Sequence, residues 1–159
     1  KDLAALGVRL GADVPLFVYG RTAMASGIGD RLEAVALGRR HYVLVFPGLS
    51  ISTRAVFSDP DLPRDSRPIS LAEALAGGGR NDCEVVVRKR YPAMASALKN
   101  LRQWGRPVMT GTGSGIFLPM NSAEQAISAA REIKTLYNVR AVSGVDRSPL
   151  REMLDARGY

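Results

Sequence analysis

The spacing of apolar positions changes several times along the chain, and each spacing predicts a different element. Leu3, Leu6 and Leu10 recur three and four residues apart and stop at Gly11, as at the end of an amphipathic helix. Two short runs follow, Leu16-Phe17-Val18-Tyr19 and Thr22-Ala23-Met24-Ala25. Gly20-Arg21 between them predicts a tight hairpin of two strands, and Gly27-Ile28-Gly29-Asp30 a further turn. The run Tyr42-Val43-Leu44-Val45-Phe46 closes on Pro47-Gly48 without a polar interruption, which suits a buried strand.

Helical pieces come next. Ser52 caps a segment through Phe57, and residues 59–68, with three prolines, read as a loop. Ser70-Leu71-Ala72-Glu73 has capping-box spacing and is stopped by Gly77-Gly78-Gly79. Asn81 or Asp82 opens another helical stretch, and Met94, Ala97, Leu98, Leu101 and Trp104 form a 3.6-period stripe that ends at Gly105. Val108-Met109 and Ile116-Phe117-Leu118 are short strands joined by a glycine-rich connection. Ser122-Ala123-Glu124-Gln125 is a second capping box, for a helix whose buried face is expected to be Ala123, Ala126, Ile127, Ala130, Ile133 and Leu136. Asn138 fits its stop and residues 139–143 a last strand. Ser148-Pro149 then supplies the cap and first-turn proline of a short terminal helix.

From residue 42 the order is strand, helices, strand, strand, helix, strand. That is an α+β layout, β-α-β-β-α-β with an expanded first crossover, the ferredoxin-like split βαβ arrangement. Residues 1–38 fall outside this unit and read as the closing helix and hairpin of another domain, so the expected division is 1–38 and 39–159.

Composition narrows the function classes. The 159 residues are 46% hydrophobic and 23% charged, near the globular average, which excludes a disordered or collagen-like chain. With Cys83 the one cysteine and His41 the one histidine, an intramolecular disulfide and a Cys/His zinc site are both excluded, and a reducing, cytoplasmic setting is expected. Apolar runs fall far short of the ~20 residues of a membrane helix, so no membrane association is expected. The N-terminus carries no signal-peptide pattern and no initiator Met, and it reads as a helix already under way in a longer chain. The net charge of +7 is spread over short clusters such as Arg88-Lys89-Arg90, without an aromatic-rich strand for stacking bases. A phosphorylated small molecule is therefore expected as partner, rather than nucleic acid.

Three segments have the residue types of a reactive site. In Met109-Thr110-Gly111-Thr112-Gly113-Ser114-Gly115, alternate glycines let main-chain N–H groups and hydroxyls approach a ligand, although a glycine-rich hairpin explains the pattern equally well. No lysine follows Ser114 and the next residues read as strand, so it is not a Walker loop. In Leu10-Gly11-Ala12-Asp13-Val14-Pro15 a carboxylate stands at a glycine-flanked corner. It is either a turn aspartate bonding its own backbone or a base for a substrate hydroxyl. Arg80-Asn81-Asp82-Cys83-Glu84 is adequately explained as a helix cap, with a metal pair from Asp82 and Glu84 as the alternative.

Taken together and in order, these segments resemble the second half of a GHMP-family small-molecule kinase. The matching stretches are residues 10–18, 27–30, 47–53, 81–84, 90–92, 110–117 and 148–150, with Phe57 and Asp59-Pro60, so the likeness runs over nearly the whole chain. It implies a ferredoxin-like GHMP C-terminal domain, preceded by a remnant of the ATP-binding N-terminal domain, with ATP and Mg2+ as cofactors. It further implies that Asp13 polarises the substrate hydroxyl that attacks the γ-phosphorus. Gly111, Thr112, Gly113 and Ser114 would lie near the phosphates, and Ser52 and Thr53 on the substrate side. Within the family, Asn81-Asp82-Cys83-Glu84 and residues 47–53 favour a cytidylyl substrate over homoserine, mevalonate or a sugar.

Two departures stand out. Gly115 occupies a position where the family more often has a small side chain. The family's main phosphate loop and its lysine lie upstream of the segments matched, and neither has an equivalent in residues 1–159, so the chain alone is expected to be inactive. A ferredoxin-like binding or regulatory module is the competing reading from another class, and it leaves the Asp13 corner and the threonine–glycine loop without a role.

Overall fold

In the computed structural model, which describes residues 3–158, the chain divides into two units: residues 40–143, and residues 3–39 together with 144–158. In the second of these, α1 (Leu3–Val8) and α2 (Val14–Tyr19) pack closely. A Cβ on Gly7 would come within 2.8 Å of Val14 Cγ1. The segment expected to be a strand, residues 16–19, is thus helical. Pro15 sits in the first turn, where its missing N–H costs nothing, and Gly20 closes the helix in the left-handed conformation at φ 64°. The hairpin is formed one element later, by β1 (Ala23–Ser26) and β2 (Arg31–Ala34) around the Gly27–Asp30 turn.

Leu3, Leu6 and Leu10 do lie at helical spacing, but they are 66, 45 and 84% exposed, so the predicted apolar face is not buried within this unit. Residues 144–158 join it through polar bonds. Both Asp146 carboxylate oxygens accept main-chain N–H groups, from Leu37 at 2.9 Å and Gly38 at 2.8 Å, and the Asp146 carbonyl accepts from Thr22. The division thus places the chain's last residues with its first.

The other unit is built on a four-stranded sheet. Its elements in chain order are β3 (Arg40–Phe46), α3 (Thr53–Phe57), α4 (Leu71–Glu73), α5 (Cys83–Arg90), α6 (Pro92–Asn100), β4 (Val108–Met109), β5 (Ile116–Met120), α7 (Ala123–Ile133) and β6 (Asn138–Gly144). The strand order is β4-β5-β3-β6, and β5 runs antiparallel to both β3 and β4. Alternation along β3 sends Val43 and Val45 into the core, where they meet Leu118, Ile116, Met94, Leu98 and Ile133. Tyr42 stacks edge-on against Phe117 at 5.8 Å.

Three of the expected caps form, whereas Ser148 makes no side-chain bond to the helix that follows it. Ser52 accepts from the Ala55 N–H, Ser70 and Glu73 complete a reciprocal capping box, and Ser122 accepts from the Gln125 N–H. On α7 the buried face is Ala126, Ala129 and Ile133, whereas Ile127 and Leu136 are exposed. The helix ends at Ile133, so Leu136 lies beyond it and Asn138 begins β6 instead of stopping α7. After these comes α8 (Pro149–Ala156), in the first unit described.

Asp59 fixes the proline-rich loop. It is 4% exposed, accepts the Asp61 N–H at 2.8 Å and pairs with Arg90 of α5. The Asp61 N–H, with help from Arg90, holds its carboxyl below the usual carboxylate range although burial pushes the other way. Among the described residues no helix is long and apolar enough to cross a membrane.

Candidate functional site

The threonine–glycine segment is the turn between β4 and β5. The Thr110 N–H donates to the Gly115 carbonyl at 2.9 Å and the Gly113 N–H to the Thr110 carbonyl at 2.9 Å. The N–H groups of Gly111, Thr112 and Ser114 have no acceptor among the described residues. Gly111 and Gly113 adopt φ of 53° and 86°, a region that favours glycine. A Cβ on Gly113 would also stand 2.9 Å from Ile51 Cδ1 and 3.2 Å from Met109 Sδ, so the turn is packed beneath and open above.

Two neighbouring elements hold this turn. Ser52 caps α3 and so places Thr53, whose hydroxyl lies 3.0 Å from that of Thr112. Ser52, Thr53 and residues 111–114 are thereby brought together. From the other side, the Asn81 side-chain amide donates to the carbonyls of Met109 at 2.9 Å and Gly111 at 2.7 Å, while its Oδ1 accepts the Cys83 N–H. Asn81 serves as a cap, as its position before α5 suggests, but its larger role is as a clamp on the glycine turn. That role was not legible in the sequence, because its acceptors lie 28 and 30 residues away.

Asp82 and Glu84 do not form a metal pair. Asp82 is ion-paired with Arg80 at 2.9 Å, and Glu84 accepts from Arg88 at 2.9 Å. Among the described residues no group of three or more His, Cys, Asp or Glu side chains is placed to hold a metal ion. Burial, and then the charge of Asp82, push the Cys83 thiol up, the wrong direction for a nucleophile.

Asp13 belongs to the other unit. It occupies the N-cap position of α2 with backbone φ −84° and ψ −15°, yet its side chain makes no capping bond. Its carboxylate is exposed, without a partner among the described residues, and is not engaged in its own turn. The corner is fixed from outside. Gly29, at φ 101°, comes so near that a Cβ there would be 3.1 Å from the Ala12 carbonyl oxygen. A turn glycine two elements away thus shapes the approach to Asp13, a role the sequence pattern showed only as a turn.

No family model matches the chain. It is 46% identical over 158 residues to 4-diphosphocytidyl-2-C-methyl-D-erythritol kinase of Chromohalobacter salexigens, covering 96% of this chain and 53% of that one. It is 42% identical to the kinase of the same name from Nitrosococcus oceani, covering 99% and 56%. A crystal structure of 4-(cytidine 5'-diphospho)-2C-methyl-D-erythritol kinase superposes with a TM-score of 0.74 at 32% identity, over 90% of this chain and 57% of that chain. The chain spans about half the length of the curated relatives it matches.

Proposed function

We propose that this chain is the part of a GHMP-type kinase that carries the base and a glycine turn near the phosphates, without the family's main phosphate loop. The reaction is ATP-dependent phosphorylation of the 2-hydroxyl of 4-diphosphocytidyl-2-C-methyl-D-erythritol, in the non-mevalonate isoprenoid pathway. The observation that carries this reading is the β4–β5 turn, with three unsatisfied N–H groups and a threonine hydroxyl held between Asn81 and Thr53. Such a turn suits phosphate oxygens. The name shared by the relatives supports the choice of reaction.

In this reading Asp13 accepts the proton of the substrate hydroxyl as its oxygen bonds to the γ-phosphorus. The bond from that phosphorus to the bridging oxygen of ADP breaks in the same displacement. Gly111, Thr112, Gly113 and Ser114 stabilise charge on the phosphate oxygens through main-chain N–H and hydroxyl donors. Ser52 and Thr53 line the substrate side. Since no group of three or more His, Cys, Asp or Glu side chains among the described residues is placed to hold a metal, Mg2+ would be carried chiefly by the nucleotide's own phosphates. When bound, it neutralises charge on those phosphates.

The strand order, with β3 and β5 central, supports reading residues 40–143 as a ferredoxin-like split βαβ unit and as a GHMP C-terminal domain. Residues 3–39 then belong to the ATP-binding domain, and the protein works in the cytoplasm as a soluble enzyme.

The test joins this chain to the part of the Chromohalobacter relative that it does not match and supplies ATP with four alcohols: cytidylyl-methylerythritol, homoserine, mevalonate and galactose. Phosphate transfer to the first alone is expected. Transfer to one of the others, or to none while the unaltered relative is active in parallel, would overturn the reading.

A further inference from the structure

A cavity of about 700 Å³ opens in the unit of residues 40–143, lined by residues at the start of α5 and in the segment that follows α6. Its size is that of a small-ligand site. Four guanidinium groups reach it, from Arg80, Arg88, Arg102 and Arg106, against two carboxylates, Asp82 and Glu84.

Those groups are not equally engaged. Arg80 is ion-paired with Asp82 and gives one Nη to Ser66, and Arg88 gives one Nη to Glu84. Arg106 spends its donors on the carbonyls of Gly77 at 2.6 Å and Gly79 at 3.1 Å, which locks its charge in place without neutralising it. The Arg102 side chain has no hydrogen-bond or ion partner among the described residues. The lining thus has two more guanidinium groups than carboxylates, and Arg102 offers an uncommitted planar fork whose geometry matches phosphoryl oxygens.

Apart from the Asn81 amide, the side chains that complete the wall are apolar. Val85 lies on α5 and yet is 53% exposed, and Val108 and Pro107 complete the surface it faces within the cavity lining. Inorganic phosphate would leave that wall wet. An ester with a short hydrocarbon body would cover it.

We propose that this cavity is a binding site for a small alkyl phosphate or diphosphate ester, separate from the glycine turn and independent of the kinase reading. Occupancy is communicated to the turn. Asn81 and Val108 line the cavity, and each is tied to the turn, Asn81 through its bonds to Met109 and Gly111 and Val108 as the neighbour of Met109 in β4.

Calorimetric titration of the 159-residue chain with inorganic diphosphate and with pentyl diphosphate tests the proposal. Saturable binding of both is expected, the pentyl ester tighter by about tenfold or more. Arg102→Gln, which removes a side chain without structural partners, should weaken both by about tenfold. Arg131→Gln, an equal loss of charge on exposed α7, should leave them unchanged. Val85→Ser should erase only the preference for the pentyl ester. Hydrogen exchange at residues 111–114 should slow on saturation with the ester.

Equal weakening by the two arginine variants, the absence of saturable binding, or no preference for the ester would each overturn the site. Unaltered exchange at the turn would overturn its communication. Tighter binding of an acidic peptide or an oligonucleotide than of either diphosphate would identify the cavity as part of a macromolecular surface instead.

Discussion

Residues 40–143 contain every buried apolar side chain of the core, from Val43 to Ile133, whereas in the unit of residues 3–39 and 144–158 Phe17, Ile28 and Leu150 stand 80, 67 and 59% exposed. The apolar content of the two stretches is similar enough that periodicity alone predicts amphipathic elements in both. What separates them is the presence of a sheet to bury against. Val43 and Val45 alternate onto a face covered by α6 and α7, while the β1–β2 hairpin has two strands and no such cover. A two-stranded ribbon buries little by itself, and its unit is fastened by polar bonds such as those of Asp146.

The sharpest way to break this contrast is a pair of truncations. Leu118→Ala, in the middle of the sheet and fully buried, should cost about 2–5 kcal/mol in denaturant unfolding. Phe17→Ala should stay within about 0.5 kcal/mol. Comparable losses would mean that residues 3–39 hold a core of their own. Next in size is Gly113→Ala, where positive φ and the nearness of Ile51 force the turn to shift. A displacement of about 1 Å should lower phosphate transfer about 10²-fold, with the unfolding midpoint changed far less. Equal falls in both would make the turn a structural element only.

Smaller again is Ser52→Ala, which removes the cap of α3 and should cost about 1 kcal/mol. Because that cap also places Thr53 against Thr112, its effect on transfer should exceed its effect on stability.

Acid sharpens the comparison from another side. Asp59 has its folded carboxyl held below the ordinary value of about 3.9, so its contribution is complete above that pH and is lost as the pH falls through the lower folded value. The gap in urea midpoint between the unaltered chain and Asp59→Asn should be open at about pH 6 and should narrow as the pH falls below about 3.9. A gap that keeps its width there would show that the side chain acts by packing instead of charge.

These residues also explain how much could be read in advance. Ser52, Ser70 and Ser122 were legible because a cap completes its bonds within a few positions. The order of elements from residue 42 onward could be read because short apolar runs alternate there with helices marked by their own caps and stops. Leu16-Phe17-Val18-Tyr19 was not legible as helix, since four apolar residues have no period to measure; Pro15 and Gly20 were the better signals. On α7 the pattern gave the correct general face but assigned Ile127 inward and omitted Ala129, because burial there depends on where β3 and β5 lie. Thr112 and Gly113 could be singled out as candidate site residues from their types, and Ser52 only through the family resemblance. The clamping by Asn81 and the close approach of Gly29 to Ala12 arise only when distant segments meet.

The central claim is that Asp13 takes the hydroxyl proton during phosphate transfer, and its free, exposed carboxylate makes it testable without damage to the fold. The decisive measurement is single-turnover transfer from γ-labelled ATP to cytidylyl-methylerythritol by the joined chain, with and without Asp13→Asn. The account predicts a fall of about 10²–10⁴-fold in the transfer rate with an unchanged unfolding midpoint. A transfer rate within a few-fold of the unaltered chain's would contradict it.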